Sequence, residues 1–205
     1  QERSIGVSES EIIKIAIKTL GLNELAPFNP KDRIIEYLLE NSNEKKLVNL
    51  SLSDFVNETS SESPAPGGGS ISAYCGAMGV ALGTMVANLS AHKRGWDNRW
   101  KEFSDWAEKG LAYQNTLLDL VDEDTNAFNQ IMYAFRLPKD TDIDKVKRKE
   151  AIQEATKFAI QTPFKVMETA FNSMEIMKAM AEFGNPNSVT DAGVGALCAR
   201  TAVIG

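Results

Sequence analysis

The apolar positions between Trp106 and Phe135 recur with the 3.6-residue period of an α-helix. They form one wide stripe, made of Trp106, Tyr113, Leu117, Leu120, Val121, Ala127, Phe128, Ile131 and Phe135. At roughly 100° per residue, Asp124 lies near the centre of this stripe, within about 60° of every member. Asp122 lies about 200° further round the helix and faces the polar side.

A carboxylate on the buried face of a helix is costly, by several kcal/mol, unless it is paired, hydrogen-bonded or protonated. The position of Asp124 therefore needs a reason. Our hypothesis is that Asp124 is a proton-transfer group in a pocket between helices.

The other patterned segments are also helical, and none alternates with the period of two expected for a strand. Gly21 is placed to end the first helix, Ser53 to cap the third, and Pro163 to kink the sixth. We also expect a bend near Gly110 and a domain boundary in the polar residues 41–46. The predicted helices are Glu9 to Thr19, Lys31 to Glu40, Asp54 to Ser60, Ser70 to Ala91, Asp97 to Arg136, Asp142 or Asp144 to Phe183, and Val189 to Ile204. The predicted fold class is thus all-α, a bundle of long antiparallel helices.

The helix from Ser70 to Ala91 is apolar nearly all round and contains Gly76, Gly79 and Gly83. Each interior glycine costs about 0.5–1 kcal/mol relative to alanine, so close helix packing is the expected compensation. This helix is predicted to seek a close partner, which favours a dimer. Its uncharged run is at the short end of transmembrane length, but the polar flanking segments favour the core of a soluble bundle.

A glycine-rich segment, Pro64 to Ser70, leads straight into this helix. It is compatible with a turn and helix cap or with a flexible linker. A third interpretation is a binding site for a carboxylate or carbonyl, because Gly67, Gly68, Gly69 and Ser70 place free N–H groups at the positive end of the helix dipole. The sequence alone does not decide among the three.

The composition of the chain limits the kinds of binding and catalysis that it can support. The net charge of −6 argues against a nucleic-acid-binding protein. His92 is the single histidine, Cys75 and Cys198 form no C-x-x-C motif, and we expect both thiols to be reduced and buried. Zinc sites and Ser-His-Asp catalysis are therefore not expected, and carboxylates or lysines must carry any proton chemistry. No signal peptide is visible, and the missing initial methionine suggests a fragment of a longer cytoplasmic protein.

Three motifs together resemble the cyclodeaminase/cyclohydrolase family of folate enzymes. They are Ser63-Pro64-Ala65-Pro66-Gly67-Gly68-Gly69-Ser70 with the helix that follows, Leu120-Val121-Asp122-Glu123-Asp124, and Gly184-Asn185 with Ser188-Val189-Thr190-Asp191. The segment from Leu20 to Leu38 is similar to the part that joins the two halves of bifunctional members of the family. We therefore expect residues 1–45 to be a linker from a formiminotransferase module and residues 46–205 to be a cyclodeaminase domain that lacks its last helices.

The resemblance implies conversion of 5-formiminotetrahydrofolate to 5,10-methenyltetrahydrofolate and ammonia, within histidine degradation. The essential aspartate of the family lies in the motif matched by Asp122 to Asp124, and the helix period selects Asp124, with Asp122 as the alternative. Lys93 and Arg94 are candidates to bind the anionic glutamate tail, although a cationic end to the preceding helix alone would explain them. Asn88, Asn185 and Asp191 are candidates to bind the pterin ring, whereas helix capping alone would explain Ser188 and Asp191.

The resemblance implies no metal or other cofactor beyond the folate substrate. The expected partners are folate, the formiminotransferase module and further copies of the chain in a homodimer or larger homo-oligomer, with neither nucleic acid nor a membrane. Two alternatives remain: hydrolysis of methenyltetrahydrofolate on the same fold, and a helical oligomerisation module without activity.

Overall fold

The computed structural model describes residues 9–35, 37 and 46–205. The α-helices assigned within these residues are numbered in chain order as α1 Glu9–Thr19, α2 Leu22–Leu25, α3 Pro30–Arg33, α4 Leu52–Thr59, α5 Gly68–Ala91, α6 Trp100–Arg136, α7 Asp142–Phe183 and α8 Val189–Ile204. Two 3₁₀ turns, Leu47–Asn49 and Pro186–Ser188, precede α4 and α8. These described residues contain no strand, so the all-α prediction is confirmed.

Most predicted helix ends agree with the structure. Gly21 has φ 63°, the left-handed conformation that favours glycine after a helix. Within the second predicted helix, the residues up to Arg33 are helical, as are Ile35 and Tyr37, and residues 36 and 38–40 lie outside the described residues. The same holds for most of the predicted boundary, residues 41–45.

Two predicted caps are wrong. The cap of α4 is Ser51 instead of Ser53, because the hydroxyl oxygen of Ser51 accepts a hydrogen bond from the Asp54 N–H at 3.1 Å. Ser188 precedes α8 but its side chain makes no capping hydrogen bond, so the capping box with Asp191 is absent. The Asn185 side chain instead accepts from the Asn187 N–H at 3.2 Å and caps the preceding 3₁₀ turn.

α5 is the central helix and packs against α6, α7 and α8. Its glycines allow the close approach that the sequence predicted, but the partners are helices of the same chain. A Cβ atom at Gly79 would lie 2.6 Å from the carbonyl oxygen of Gly195, and one at Gly83 would lie 2.9 Å from the Met177 sulfur. The glycine-bearing side is therefore already occupied within the protomer.

α6 continues through Gly110, and α7 continues through Pro163. Gly110 does not mark an end of the helix; it is a site of close contact, because a Cβ there would lie 2.1 Å from the Thr84 hydroxyl oxygen. α5 is also long and apolar enough to cross a membrane, but 61% of its most apolar window is buried in the protein. Its place at the centre of the bundle accounts for that composition.

The apolar stripe of α6 is buried only over part of its length. Leu117, Leu120, Val121 and Ala127 are buried, whereas Phe128 and Phe135 are 39% and 51% exposed. The change follows from the length of α5, which begins at Gly68, opposite Asp124. Beyond this point, α6 no longer has α5 to cover it.

Candidate functional site

The carboxylate of Asp124 lies at the N-terminal end of α5. Its Oδ2 accepts two hydrogen bonds from Ser70, one from the backbone N–H at 2.9 Å and one from the hydroxyl at 3.0 Å. Ser70 is completely buried. Free N–H groups and the positive end of the helix dipole both favour an anion at this position.

Gly69 makes this close approach possible. A Cβ atom at Gly69 would lie 2.2 Å from Oδ1 and 2.6 Å from Cγ of Asp124, whereas one at Gly67 or Gly68 would meet nothing within 4 Å. The three glycines are therefore not equivalent. Gly69 makes room for the carboxylate, and Gly67 and Gly68 leave open space beside it.

The Ser70 hydroxyl has a second acceptor, the carbonyl oxygen of Val121, at 2.9 Å. One hydroxyl hydrogen cannot serve Val121 and Asp124 fully at the same time. An ionised Asp124 can accept that hydrogen, whereas a protonated Asp124 can donate to the Ser70 oxygen while the hydroxyl donates to Val121. The site thus offers hydrogen bonds to both protonation states of the carboxylate.

Half-buried Asp124 borders a cavity of about 170 Å³ between α6, α7 and the segment before α5. The cavity is lined by Pro64, Ala65, Gly67, Asp124, Thr125, Ala127, Phe128, Ile131 and Ala159. Sequence analysis missed Thr125 and Ala159. No sequence signal marks Ala159, since it reaches the cavity from a helix that is distant along the chain.

A second cavity of about 350 Å³ also reaches Gly69. Its lining is mainly apolar and comprises Gly69, Ser72, Ile160, Pro163, Phe164, Val166, Met167, Ala202, Val203, Ile204 and Gly205. Drug-sized ligands occupy pockets of about 300–1,000 Å³. The smaller cavity can hold only part of such a ligand, and the second cavity offers an apolar surface for the rest.

Asp122, the alternative acid, has other partners. Its Oδ1 accepts a hydrogen bond from the Leu47 N–H at 2.6 Å, and its Oδ2 lies 3.5 Å from the Val48 nitrogen. These contacts hold the 3₁₀ turn Leu47–Asn49 against α6. Between the two aspartates, Glu123 pairs with Lys165 at 3.6 Å.

The remaining predicted site residues lie toward the opposite end of α5. Lys93 stands 3.9 Å from the centre of the Trp96 ring, and the Asn185 N–H donates to the Ser90 hydroxyl oxygen at 2.8 Å. At about 1.5 Å per residue, Lys93 is about 35 Å from Ser70 along the bundle. One protomer therefore brings Gly67 to Ser70 together with Asp124 but leaves Asn88, Lys93, Arg94, Asn185 and Asp191 away from them.

Within the described residues, no group of three or more His, Cys, Asp and Glu side chains is placed to hold a metal ion. The chemistry that the described site supports directly is proton transfer. Asp124 lines the smaller cavity, and it has one oxygen held by Ser70 and the other beside Gly69.

Comparisons with known proteins agree with the fold. The chain is 28% identical to a formiminotetrahydrofolate cyclodeaminase of known structure from Thermotoga maritima, with a TM-score of 0.64 over 76% of this chain and 77% of that one. The all-helical fold is thus that of a cyclodeaminase. Residues 51–205 match the family model described as formiminotransferase-cyclodeaminase, and residues 1–40 match the formiminotransferase domain. The chain belongs to the formiminotransferase-cyclodeaminase family.

Curated relatives include both activities that the sequence resemblance implied. The chain is 35% identical over its whole length to the rat formimidoyltransferase-cyclodeaminase, of which it spans 38%. It is also 36% identical to a methenyltetrahydrofolate cyclohydrolase from Methylorubrum extorquens, and the matched region covers 74% of this chain and 73% of that protein.

Proposed function

We propose that the chain is the cyclodeaminase part of a bifunctional enzyme and converts 5-formiminotetrahydrofolate to 5,10-methenyltetrahydrofolate and ammonia. The observation that carries the proposal is the placement of Asp124, which is held by Ser70 and lines a cavity between α6, α7 and the segment before α5. The whole-chain similarity to formimidoyltransferase-cyclodeaminases supports this choice of reaction.

The reaction needs proton transfer at two nitrogens. N10 of the folate attacks the formimino carbon, a C–N bond forms, and N10 loses its proton. In the protonated substrate the formimino nitrogen already carries two hydrogens, so it gains one further proton and leaves as ammonia when its bond to the same carbon breaks. A single carboxylate can take the first proton and return it to the leaving nitrogen, a contribution worth roughly 10²–10⁴-fold in rate.

Asp124 is the residue to which we assign this transfer. Its Oδ2 is fixed by Ser70, so Oδ1 beside Gly69 is the oxygen free to meet the substrate. The helix start at Gly67 and Gly68 is open to a carbonyl or carboxylate of the folate. The apolar cavity beyond Gly69 suits an aromatic ring of the same ligand.

The remaining assignments belong to the same proposal. Residues 1–45 connect to a formiminotransferase module, residues 46–205 form the deaminase domain, and the protein acts in the cytoplasm in histidine degradation. It works as a homo-oligomer and needs no metal.

The second candidate is a methenyltetrahydrofolate cyclohydrolase, which the Methylorubrum relative favours. The chain should be supplied separately with 5-formiminotetrahydrofolate and with 5,10-methenyltetrahydrofolate. Our proposal predicts ammonia release with rising methenyl absorbance from the first compound. Turnover of the second compound alone would select the hydrolase, and turnover of neither would favour a helical assembly module.

A further inference from the structure

Phe128 is the aromatic side chain on the wall of the cavity that Asp124 lines. Although Phe128 belongs to the apolar stripe of α6, it is 39% exposed, because α5 begins at the level of Asp124 and does not extend over it. Phe128 follows Asp124 by four positions, so the two side chains lie on the same face of α6, with their Cβ atoms about 5–6 Å apart. The ring is therefore accessible to a ligand that reaches the carboxylate.

The wall around Phe128 offers few hydrogen bonds. Asp124 and Thr125 carry its polar side chains, and the Thr125 hydroxyl oxygen lies 3.5 Å from that of Ser70. The other lining residues have no polar side-chain atom and are Pro64, Ala65, Gly67, Ala127, Phe128, Ile131 and Ala159. Away from Asp124 and Thr125, side chains of the wall can therefore contact only apolar parts of a ligand.

The volume of the cavity limits what can enter it. It is about 170 Å³, close to the roughly 150 Å³ that accommodates one benzene ring in a protein interior. The pterin of a folate is a fused pair of rings bordered by N–H, amino and carbonyl groups, and each of these groups needs a hydrogen-bond partner when it is buried. The p-aminobenzoyl group has a single ring with apolar faces, so it suits both the volume and the wall.

We infer that the cavity beside Asp124 receives the p-aminobenzoyl ring of the folate and that this ring stacks on Phe128. The inference rests on the proposed function, because it requires a folate substrate. N10, the nitrogen that attacks the formimino carbon, is bonded directly to this ring. When the ring lies on Phe128 with N10 directed toward Asp124, one helical turn away, N10 is beside the carboxylate that takes its proton. The pterin ring then lies outside this cavity.

Phe135 provides a matched control for Phe128. It lies on the same helix two turns further on, is 51% exposed, and lines neither of the two cavities described above. Substitution of either phenylalanine by leucine keeps an apolar side chain and removes the flat ring. A general effect of removing an exposed ring from α6 would therefore be common to both variants, whereas an effect on ligand binding is expected only at Phe128.

The first test measures binding without turnover. Isothermal titration calorimetry should compare the natural chain, Phe128→Leu and Phe135→Leu with three ligands, namely tetrahydrofolate, p-aminobenzoylglutamate and 6-methyltetrahydropterin. Stacked aromatic rings attract each other beyond their apolar contact, so loss of the ring should weaken binding about three- to tenfold. We expect Phe128→Leu to raise the Kd of tetrahydrofolate and p-aminobenzoylglutamate by this factor, without raising that of 6-methyltetrahydropterin. Phe135→Leu should bind all three ligands as the natural chain does.

Three results of this titration would overturn the inference. The first is an unchanged Kd of tetrahydrofolate in Phe128→Leu, and the second is no binding of p-aminobenzoylglutamate to the natural chain at millimolar concentration. The third is a higher Kd of 6-methyltetrahydropterin in Phe128→Leu, because Phe128 would then contact the pterin ring.

A second variant tests the cavity from the opposite wall. Ala159→Leu adds three carbon atoms from α7 to the space that the ring would occupy, so the ring or the wall must move. We expect p-aminobenzoylglutamate to bind about tenfold more weakly, or worse, and 6-methyltetrahydropterin to bind as before. Ala151→Leu is the control, because Ala151 is also half-buried on α7 and does not line the cavity. Natural affinity of a folded Ala159→Leu variant for p-aminobenzoylglutamate would show that the ring binds elsewhere.

The binding measurements separate this inference from the proposed function. If the natural chain releases no ammonia although Phe128→Leu weakens tetrahydrofolate binding as expected, the proposed reaction fails and the placement of the ring stands. If the natural chain releases ammonia and Phe128→Leu binds tetrahydrofolate normally, the placement of the ring fails alone. With an active chain, Phe128→Leu should raise the KM for 5-formiminotetrahydrofolate by a larger factor than it lowers kcat.

Discussion

At the scale of single residues, the site depends on the absence of a side chain. Gly69 lies in the first turn of α5, and its sequence context does not distinguish it from Gly67 and Gly68. Only the structure shows that the space above Gly69 is filled by the Asp124 carboxylate. A binding site at this helix start was one of three interpretations of the sequence, and none of them could predict which glycine touches the acid.

Gly69→Ala tests this contact. The new methyl group would collide with the carboxylate, so Asp124 must move, and a displacement near 1 Å can cost about 10²-fold in rate. Gly193→Ala is the control, because it is also a helical glycine and its Cβ would meet nothing within 4 Å. We expect loss of ammonia release for Gly69→Ala, and natural activity with about 0.5–1 kcal/mol of added stability for Gly193→Ala. Equal activities for the two variants would contradict the assigned contact.

Ser70→Ala tests the hydroxyl while it retains the backbone hydrogen bond to Asp124. Removal of the hydroxyl leaves the Val121 carbonyl without this donor and withdraws one donor from the carboxylate. We expect kcat for ammonia release to fall, because the carboxylate loses a hydrogen bond that positions it, and Ser70→Thr to recover part of the loss. A lower melting temperature with an unchanged kcat would mean that Ser70 is only structural.

At the scale of elements, helical periodicity predicted nearly every described helix, because each long helix buries a continuous stripe. The exact starts of the helices were harder to predict. At α4, for example, two serines lie two positions apart. Ser51 and Ser53 are both plausible caps by residue type, and only the Ser51 oxygen meets the Asp54 N–H. The exposure of Phe128 and Phe135 likewise depends on where α5 begins, and the residue pattern of α6 alone does not reveal that start.

The cap of α7 predicts a pH dependence. Hydrogen bonds from the Thr141 side chain and backbone lower the pKa of Asp144. The ionised carboxylate is therefore favoured in the folded state, and its contribution is present at neutral pH and is lost as the pH falls below the ordinary aspartate pKa of about 3.9. Asp144→Asn should lower the melting temperature at pH 7, and the difference from the natural chain should shrink toward pH 3. A difference that is constant with pH would contradict this.

The contact between α5 and α8 can be tested at Gly79. A Cβ atom there would lie 2.6 Å from the Gly195 carbonyl oxygen and 2.9 Å from the Ala199 nitrogen, and neither backbone can yield without moving α8. We expect Gly79→Ala to destabilise the protein by about 1–3 kcal/mol in urea unfolding, as overpacked cores do. Gly193→Ala again serves as the control, and similar stabilities for both variants would exclude the close packing.

At the scale of the whole molecule, the sequence predicted more of the fold than of the site. The helix period predicted that Asp124 faces other helices, but its contact with the glycine-rich start of α5 is seen only in the structure. Lys93, Arg94 and Asn185 do not lie near Asp124, because they follow or flank the other end of α5. These polar groups could be identified from their residue types. Their distance from Asp124 within the chain is set by the length of α5.

The most direct test of the account compares two aspartates that lie two positions apart in the same motif. Asp122 holds the turn Leu47–Asn49, whereas Asp124 borders the cavity and Gly69. The measurement is kcat for ammonia release from 5-formiminotetrahydrofolate by Asp124→Asn and by Asp122→Asn, with circular dichroism to confirm folding. We predict a loss of roughly 10²–10⁴-fold for Asp124→Asn and less than tenfold for Asp122→Asn. A folded Asp124→Asn variant with near-natural kcat would contradict the account.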